Sequence, residues 1–183
     1  MRAFLTAFAL FQAVLTPAVV EFKVRGYFIA PLQSRAIGAG SQAPRGKLSL
    51  IAYPERTAKF GRYKGFRVAL VNATRAGHHF EAQDLRINVV REALDPAGRW
   101  RPVEYLPDSW CGNSYHVMYL PPGRYWSFTA PVYAGAFLTR MRFVLEQPGL
   151  RLVSNEFAGS VNLEQFEVLQ GHTPTNIMDP YRE

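Results

Sequence analysis

Beyond residue 20 the chain shows no sustained helical period and instead alternates apolar and polar residues with a period of two. That alternation is the strongest constraint on its fold. Successive side chains of a strand point to opposite faces, so alternation describes a half-buried sheet. Leu48, Leu50 and Ala52 alternate with Ser49, Ile51 and Tyr53, and Pro54 is read as the end of that run. Phe66, Val68 and Leu70 line one face of the next strand. Leu85, Ile87 and Val89 alternate with Arg86, Asn88 and Val90, and Thr139, Met141, Phe143 and Leu145 with Arg140, Arg142 and Val144. Asp95-Pro96-Ala97-Gly98 has turn chemistry and predicts a hairpin with the returning segment Trp100–Tyr105. Pro121-Pro122-Gly123 closes the strand Tyr115–Leu120, and Tyr125–Thr129 is expected to pair back across it. Pro148-Gly149 turns the chain into Arg151–Phe157, and Val161–Val168 is read as the last strand.

These signals predict an all-β fold of eight or nine short strands. The expected architecture is an antiparallel two-sheet β-sandwich of immunoglobulin-like build. The chain has a single cysteine, so that label describes architecture and implies no internal disulfide.

Residues 1–18 fit a secretory signal peptide: Arg2, then the apolar run Ala3–Leu15, then Thr16-Pro17-Ala18 at a cleavage site. The apolar run is shorter than the roughly 20 residues a spanning helix needs. The expected location is therefore exported (periplasmic, cell-surface or extracellular), with no stable membrane insertion after cleavage. Residues 19–46 read as an N-terminal extension and a Gly/Ala/Pro linker, 47–169 as the sandwich domain, and 170–183 as a loose polar tail.

The net charge is +7, which favours anionic partners. The positive residues are scattered singly among apolar ones, with no run of five or more, so they read as the wet face of a sheet. Export argues against nucleic acid as a partner. Asn72-Ala73-Thr74 matches the glycosylation sequon.

Rare residue types concentrate in Trp-Cys-Gly-Asn-Ser-Tyr-His, Trp110–His116. A thiolate nucleophile at Cys111 needs a base. His116 lies at an odd offset, which in one strand places it on the opposite face. Without a base the thiol titrates near about 8.5 and stays protonated. Gly112 and Asn113 favour a turn, so the stretch reads first as a corner leading into a strand. His78, His79, His116 and His172, with Cys111, are all the histidine and cysteine ligands the chain has, and none has the spacing of a metal motif. No phosphate loop is present, no pair of carboxylates can be assigned, and neither metal nor cofactor is expected.

Aromatic residues crowd one third of the chain among arginines. The candidate ligand-binding residues are Trp100, Trp110, Asn113, Tyr115, His116, Trp126 and Tyr133. By parity Tyr125 and Trp126 point to opposite faces, so one of them should face outward. The functional expectation is a non-enzymatic, exported binding module for a protein or cell-envelope component, using aromatic loops and a basic sheet face. The alternatives are a carbohydrate-binding module with a glycan partner and a small exported thiol enzyme using Cys111.

Overall fold

The computed structural model describes residues 24–25, 33–39, 41–61, 63–105 and 112–167. The predicted signal peptide, the tail 170–183, Trp110 and Cys111 lie outside the described residues. In chain order the strands are β1 (Val24–Arg25), β2 (Arg35–Ala36), β3 (Leu48–Phe60), β4 (Tyr63–Asn72), β5 (His78–Gln83), β6 (Arg86–Ile87) and β7 (Val89–Leu94). There follow β8 (Trp100–Pro102), β9 (Glu104–Tyr105), β10 (Tyr115–Leu120), β11 (Arg124–Pro131), β12 (Phe137–Gln147), β13 (Leu150–Val153) and β14 (Phe157–Val161). A short helix, α1 (Glu164–Glu167), ends the described chain.

The protein is all-β and built from several antiparallel sheets. One sheet has the order β2-β11-β4-β3, and another β13-β12-β7-β8 with β14 also on β12. A third has the order β10-β5-β6, and β1 pairs with β9 in parallel. Alternation assigns the faces as expected. Leu50 and Ala52 of β3, Phe66, Val68 and Leu70 of β4, and Trp126, Phe128 and Ala130 of β11 all enter one core. The same core takes Val89 and Ala93 of β7, Met141, Phe143 and Leu145 of β12, and Phe80 and Ala82 of β5. Phe66 meets Phe157 edge-on at 5.3 Å and Phe143 at 6.1 Å, which joins the two larger sheets through aromatic rings.

Several expectations about strand limits are corrected. There are fourteen strands among the described residues, not eight or nine. Pro54 does not end its strand, because β3 bulges there. Tyr53 pairs with Arg67 and Thr57 with Phe66, leaving Pro54, Glu55 and Arg56 outside the ladder. A bulge is one of the few places in a sheet that tolerates a residue with no N–H to donate. The run from Leu85 to Val90 is broken by a two-residue turn at Asp84-Leu85, both at positive φ, between Gln83 and its partner Arg86. The segment read as a last strand ends at Val161, and the four-residue helix follows.

The turn at Pro121–Gly123 forms no hairpin either. β10 pairs with β5, while β11 pairs with β4 and β2. The Asn72 side-chain amide donates to the carbonyls of Leu120 (3.1 Å) and Pro121 (3.0 Å), and Gly123 N–H donates to Asn72 O at 2.9 Å. These bonds steer the chain from one sheet into the other. They also leave the Asn72 side chain fully buried, so the sequon is closed to modification in the folded protein. The predicted hairpin at Asp95–Gly98 is present, with Leu94 paired to Trp100.

Candidate functional site

The outer face of the β2-β11-β4-β3 sheet carries a groove of about 480 Å³. Register explains its shape. Across the middle of the face Ala69 pairs with Ser127, so the floor there is made of small side chains. Around them stand long ones: Tyr53 beside Arg67, and Arg35 beside Tyr125. A sheet that is flat in its backbone becomes concave wherever small residues are ringed by large ones.

The bulge supplies a further wall, because it lifts Arg56 out of the ladder and over the Tyr53 ring, 4.4 Å from its centroid. Burial pushes the Tyr53 hydroxyl above its ordinary pKa, while the Arg56 charge pulls the other way. The remaining wall is the stretch expected to be a linker. Ile37 and Ala43 pack on a small apolar cluster of Ile51, Tyr53, Ala69 and Val71. Ile37 N–H donates to Gly123 O at 3.0 Å, and the Arg124 guanidinium reaches the Ser34 hydroxyl at 3.1 Å and the Ser34 carbonyl. Ser34, Ile37 and Ala43 thus hold this stretch against the sheet, where it shapes the outer face.

The electrostatics of the groove are one-sided. Arg35, Arg56 and Arg67 line it, and among the described residues its lining contains no carboxylate, histidine or cysteine. Arg56 has a loose pair with the exposed Glu55 at 3.8 Å. Arg67 Nη1 donates to Thr129 Oγ1 at 3.3 Å, and neither Arg35 nor Arg67 forms an ion pair among the described residues. A second hollow of about 300 Å³ shares Arg35, Arg67, Tyr125 and Ser127 with the first, so both guanidinium-bearing chains border both hollows.

The residues singled out from sequence fall in different places. Trp126 is 2% exposed and packs edge-on against Phe80, so it is a core residue and cannot present its ring to a ligand. Tyr133 is likewise buried, with its hydroxyl donating to Glu104 Oε1 at 2.7 Å. Both are corrected from the candidate set: parity on β11 turns Trp126 inward, and Tyr133, in the loop after β11, is held inward by its bond to Glu104. Trp100 is half-buried on β8, with the Arg142 guanidinium 4.1 Å over its ring. Asn113 is exposed in the 3₁₀ turn Gly112–Ser114 that precedes β10. Tyr115 is 44% exposed on β10, on the same side as Tyr119 at 52%. His116 points the other way. Its Nδ1–H donates to Ser114 O at 2.9 Å, leaving Nε2 buried with no hydrogen-bond partner among the described residues. Trp110 lies outside the described residues. Among the described residues no group of three His, Cys, Asp or Glu side chains is placed to hold a metal ion.

A buried charge cluster sits apart from the groove. Arg91 Nε lies 3.3 Å from Glu104 Oε1, both side chains being 1% exposed, and Arg91 N–H donates to Glu104 Oε2 at 2.9 Å. The guanidinium is also 4.2 Å from the Tyr133 ring centroid. Burial pushes the Glu104 carboxyl above the usual carboxylate range, opposed by the Arg91 charge and the Tyr133 hydroxyl. The carboxylate accepts from the Arg91 backbone N–H and the Tyr133 hydroxyl, while Arg91 Nε and Nη2 are buried without a hydrogen-bond partner among the described residues, and the cluster links β7, β9 and the loop after β11.

Sequence reasoning placed a basic sheet face in the protein but did not choose Arg35, Arg56, Arg67, Tyr53 or Tyr125. The available signal was the wet parity of Arg67 and Tyr125 on adjacent strands. No family model matches the chain, and no match was found among curated proteins or solved structures.

Proposed function

We propose that the chain is an exported, non-enzymatic binding module, and that its basic sheet face docks a protein or cell-envelope component. Its layered build is that of a two-sheet, immunoglobulin-like sandwich, with the β2-β11-β4-β3 and β13-β12-β7-β8 sheets as the layers. The observation that carries the functional reading is the groove itself. Three arginines border it, and among the described residues no carboxylate, histidine or cysteine lines it, so its hydroxyls have no adjacent base to activate them and it offers mainly charge and shape. The guanidinium groups of Arg35 and Arg67, which have no acidic partner among the described residues, would steer and hold an anionic partner on this concave surface.

The test is retention of a solubilised envelope fraction on the immobilised protein. Bound material should fall by about tenfold in the double variant Arg35→Gln/Arg67→Gln, the scale of one or two lost charged contacts. Equal retention by the parent and the double variant, both confirmed folded by circular dichroism, would reject the groove as the docking site.

A further inference from the structure

We infer that the groove over Ala69 and Ser127 receives a tetrahedral oxyanion of the phosphate-ester type, carried by the partner. This rests on the reading of the basic face as the docking surface and names the group that is recognised. The first support is convergence. Arg35 arrives from β2, Arg67 from β4 and Arg56 from the β3 bulge, yet all three border one space. Arg56 has Glu55 beside it, but Arg35 and Arg67 have no acidic partner among the described residues, and holding like charges around a shared hollow is unfavourable by itself. Their mutual repulsion is relieved when an anion enters between them.

The second support is the balance of donors and acceptors. A guanidinium offers five N–H donors and accepts nothing. Hydroxyls of Ser41, Tyr53, Thr57 and Ser127 add donors around the same lining. A planar carboxylate has two oxygens and one charge, and meets donors in one plane. A phosphoryl group has three terminal oxygens and about −1.5 to −2 charge at neutral pH, so it can meet donors from several sides and offset more than one guanidinium. A groove walled by donors from three strands therefore fits the phosphoryl group better.

The third support is size. A space of about 480 Å³ far exceeds a bare phosphate, so there is room for the body to which the phosphoryl is attached. That body is either a soluble phosphate ester or a phosphate-bearing lipid headgroup, and the experiment separates the two.

The purified chain is titrated at low ionic strength with inorganic phosphate, phenyl phosphate and polyglutamate. Phosphatidylcholine vesicles are tested with and without phosphatidic acid. The variants are Arg35→Gln, Arg67→Gln, Arg67→Lys and, as a control on the other large sheet, Arg151→Gln. Phenyl phosphate should bind more tightly than polyglutamate, with affinity reduced about tenfold by either groove glutamine and unchanged by Arg151→Gln. Arg67→Lys should lie between, because it keeps the charge and loses the planar fork. Stronger binding to phosphatidic-acid vesicles than to phenyl phosphate assigns the group to a headgroup, and the reverse assigns it to a soluble ester. Polyglutamate binding as tightly as phenyl phosphate, or phenyl phosphate binding that the groove variants leave unchanged, overturns the inference. If no phosphate probe binds but Arg35→Gln/Arg67→Gln still abolishes envelope retention, the inference falls and the binding-module reading stands. If envelope retention is also unaffected, both fall.

Discussion

At Asp95 four donors converge on one carboxylate. Ala97 N–H and Arg99 N–H reach Oδ1, each at 2.9 Å, and Arg99 Nε and Nη2 reach Oδ2 at 3.2 and 3.1 Å. The Arg99 backbone N–H is the largest influence holding this carboxyl below its ordinary pKa; the Arg99 side chain and the Ala97 N–H add to it, and burial works against it. A folded-state pKa below the unfolded one means that the contribution is present above the ordinary carboxylate value and is lost as pH falls through the folded one. Asp95→Asn keeps the size and loses the charge. Its thermal midpoint should lie below the parent's at pH 7, and the gap should close as pH drops below about 4. A gap that stays constant from neutral to acid pH would mean that the charge plays no part in closing the hairpin. This turn was legible in sequence because all its determinants lie within five residues of each other. The choice between Tyr125 and Trp126 was not. Parity says that one of them faces out, but only the register of β11 on β4, with Trp126 opposite Leu70, decides which is buried.

Among the elements, sequence gave the type of each long strand and misjudged where strands stop and whom they meet. Pro54 looked like a terminator because proline removes a ladder donor, yet the bulge absorbs it and sets Arg56 over the groove. β5 was missed because His78-His79 after Ala76-Gly77 resembles a loop; its pairing with β10 is a long-range event with no local mark. Side-chain amides do work that no strand pattern records. Asn155 accepts from Ala52 N–H at 2.8 Å and donates to Ala52 O at 3.0 Å, so it stands in for one residue of a neighbouring strand on the free edge of β3. Gln147 does the same for β5, accepting from Glu81 N–H and donating to His79 O. Bridging an edge in this way both joins sheets and blocks pairing with another chain. Asn155→Ala removes two part-buried bonds to one backbone residue. It should lower unfolding stability by about 1–2 kcal/mol in urea titrations without changing the steepness of the transition. A loss smaller than about 0.5 kcal/mol would place Asn155 with ordinary surface residues and remove its bridging role.

For the whole molecule, the net charge of +7 is a poor guide until its distribution is known. On the face that carries β12 the arginines are neutralised: Arg142 pairs with Glu92 at 2.7 Å, Arg151 with Glu146 at 3.8 Å, and Arg140 with Glu156. On the groove face Arg35 and Arg67 are not paired among the described residues. The sequence could not reveal this asymmetry, because it depends on which acids the ladders bring beside which arginines. Arg142 meets Glu92 only through the β12–β7 register, fifty residues apart. The groove face therefore keeps two guanidinium groups with no acidic partner among the described residues, and association with an anionic partner there should be electrostatically steered. Raising the salt from low to physiological strength shortens the screening length to about 8 Å, which weakens the long-range approach more than the closed contact. The association rate for phosphatidic-acid vesicles should fall steeply with salt while the dissociation rate changes little. Arg35→Gln/Arg67→Gln should flatten that dependence, and Arg151→Gln should leave it nearly intact, since Arg151 already has Glu146 beside it. Stopped-flow association measured across a salt series decides the matter. Equal flattening by the groove variant and the Arg151 variant would mean that attraction comes from total charge, and that the paired and unpaired faces do not differ in their reach.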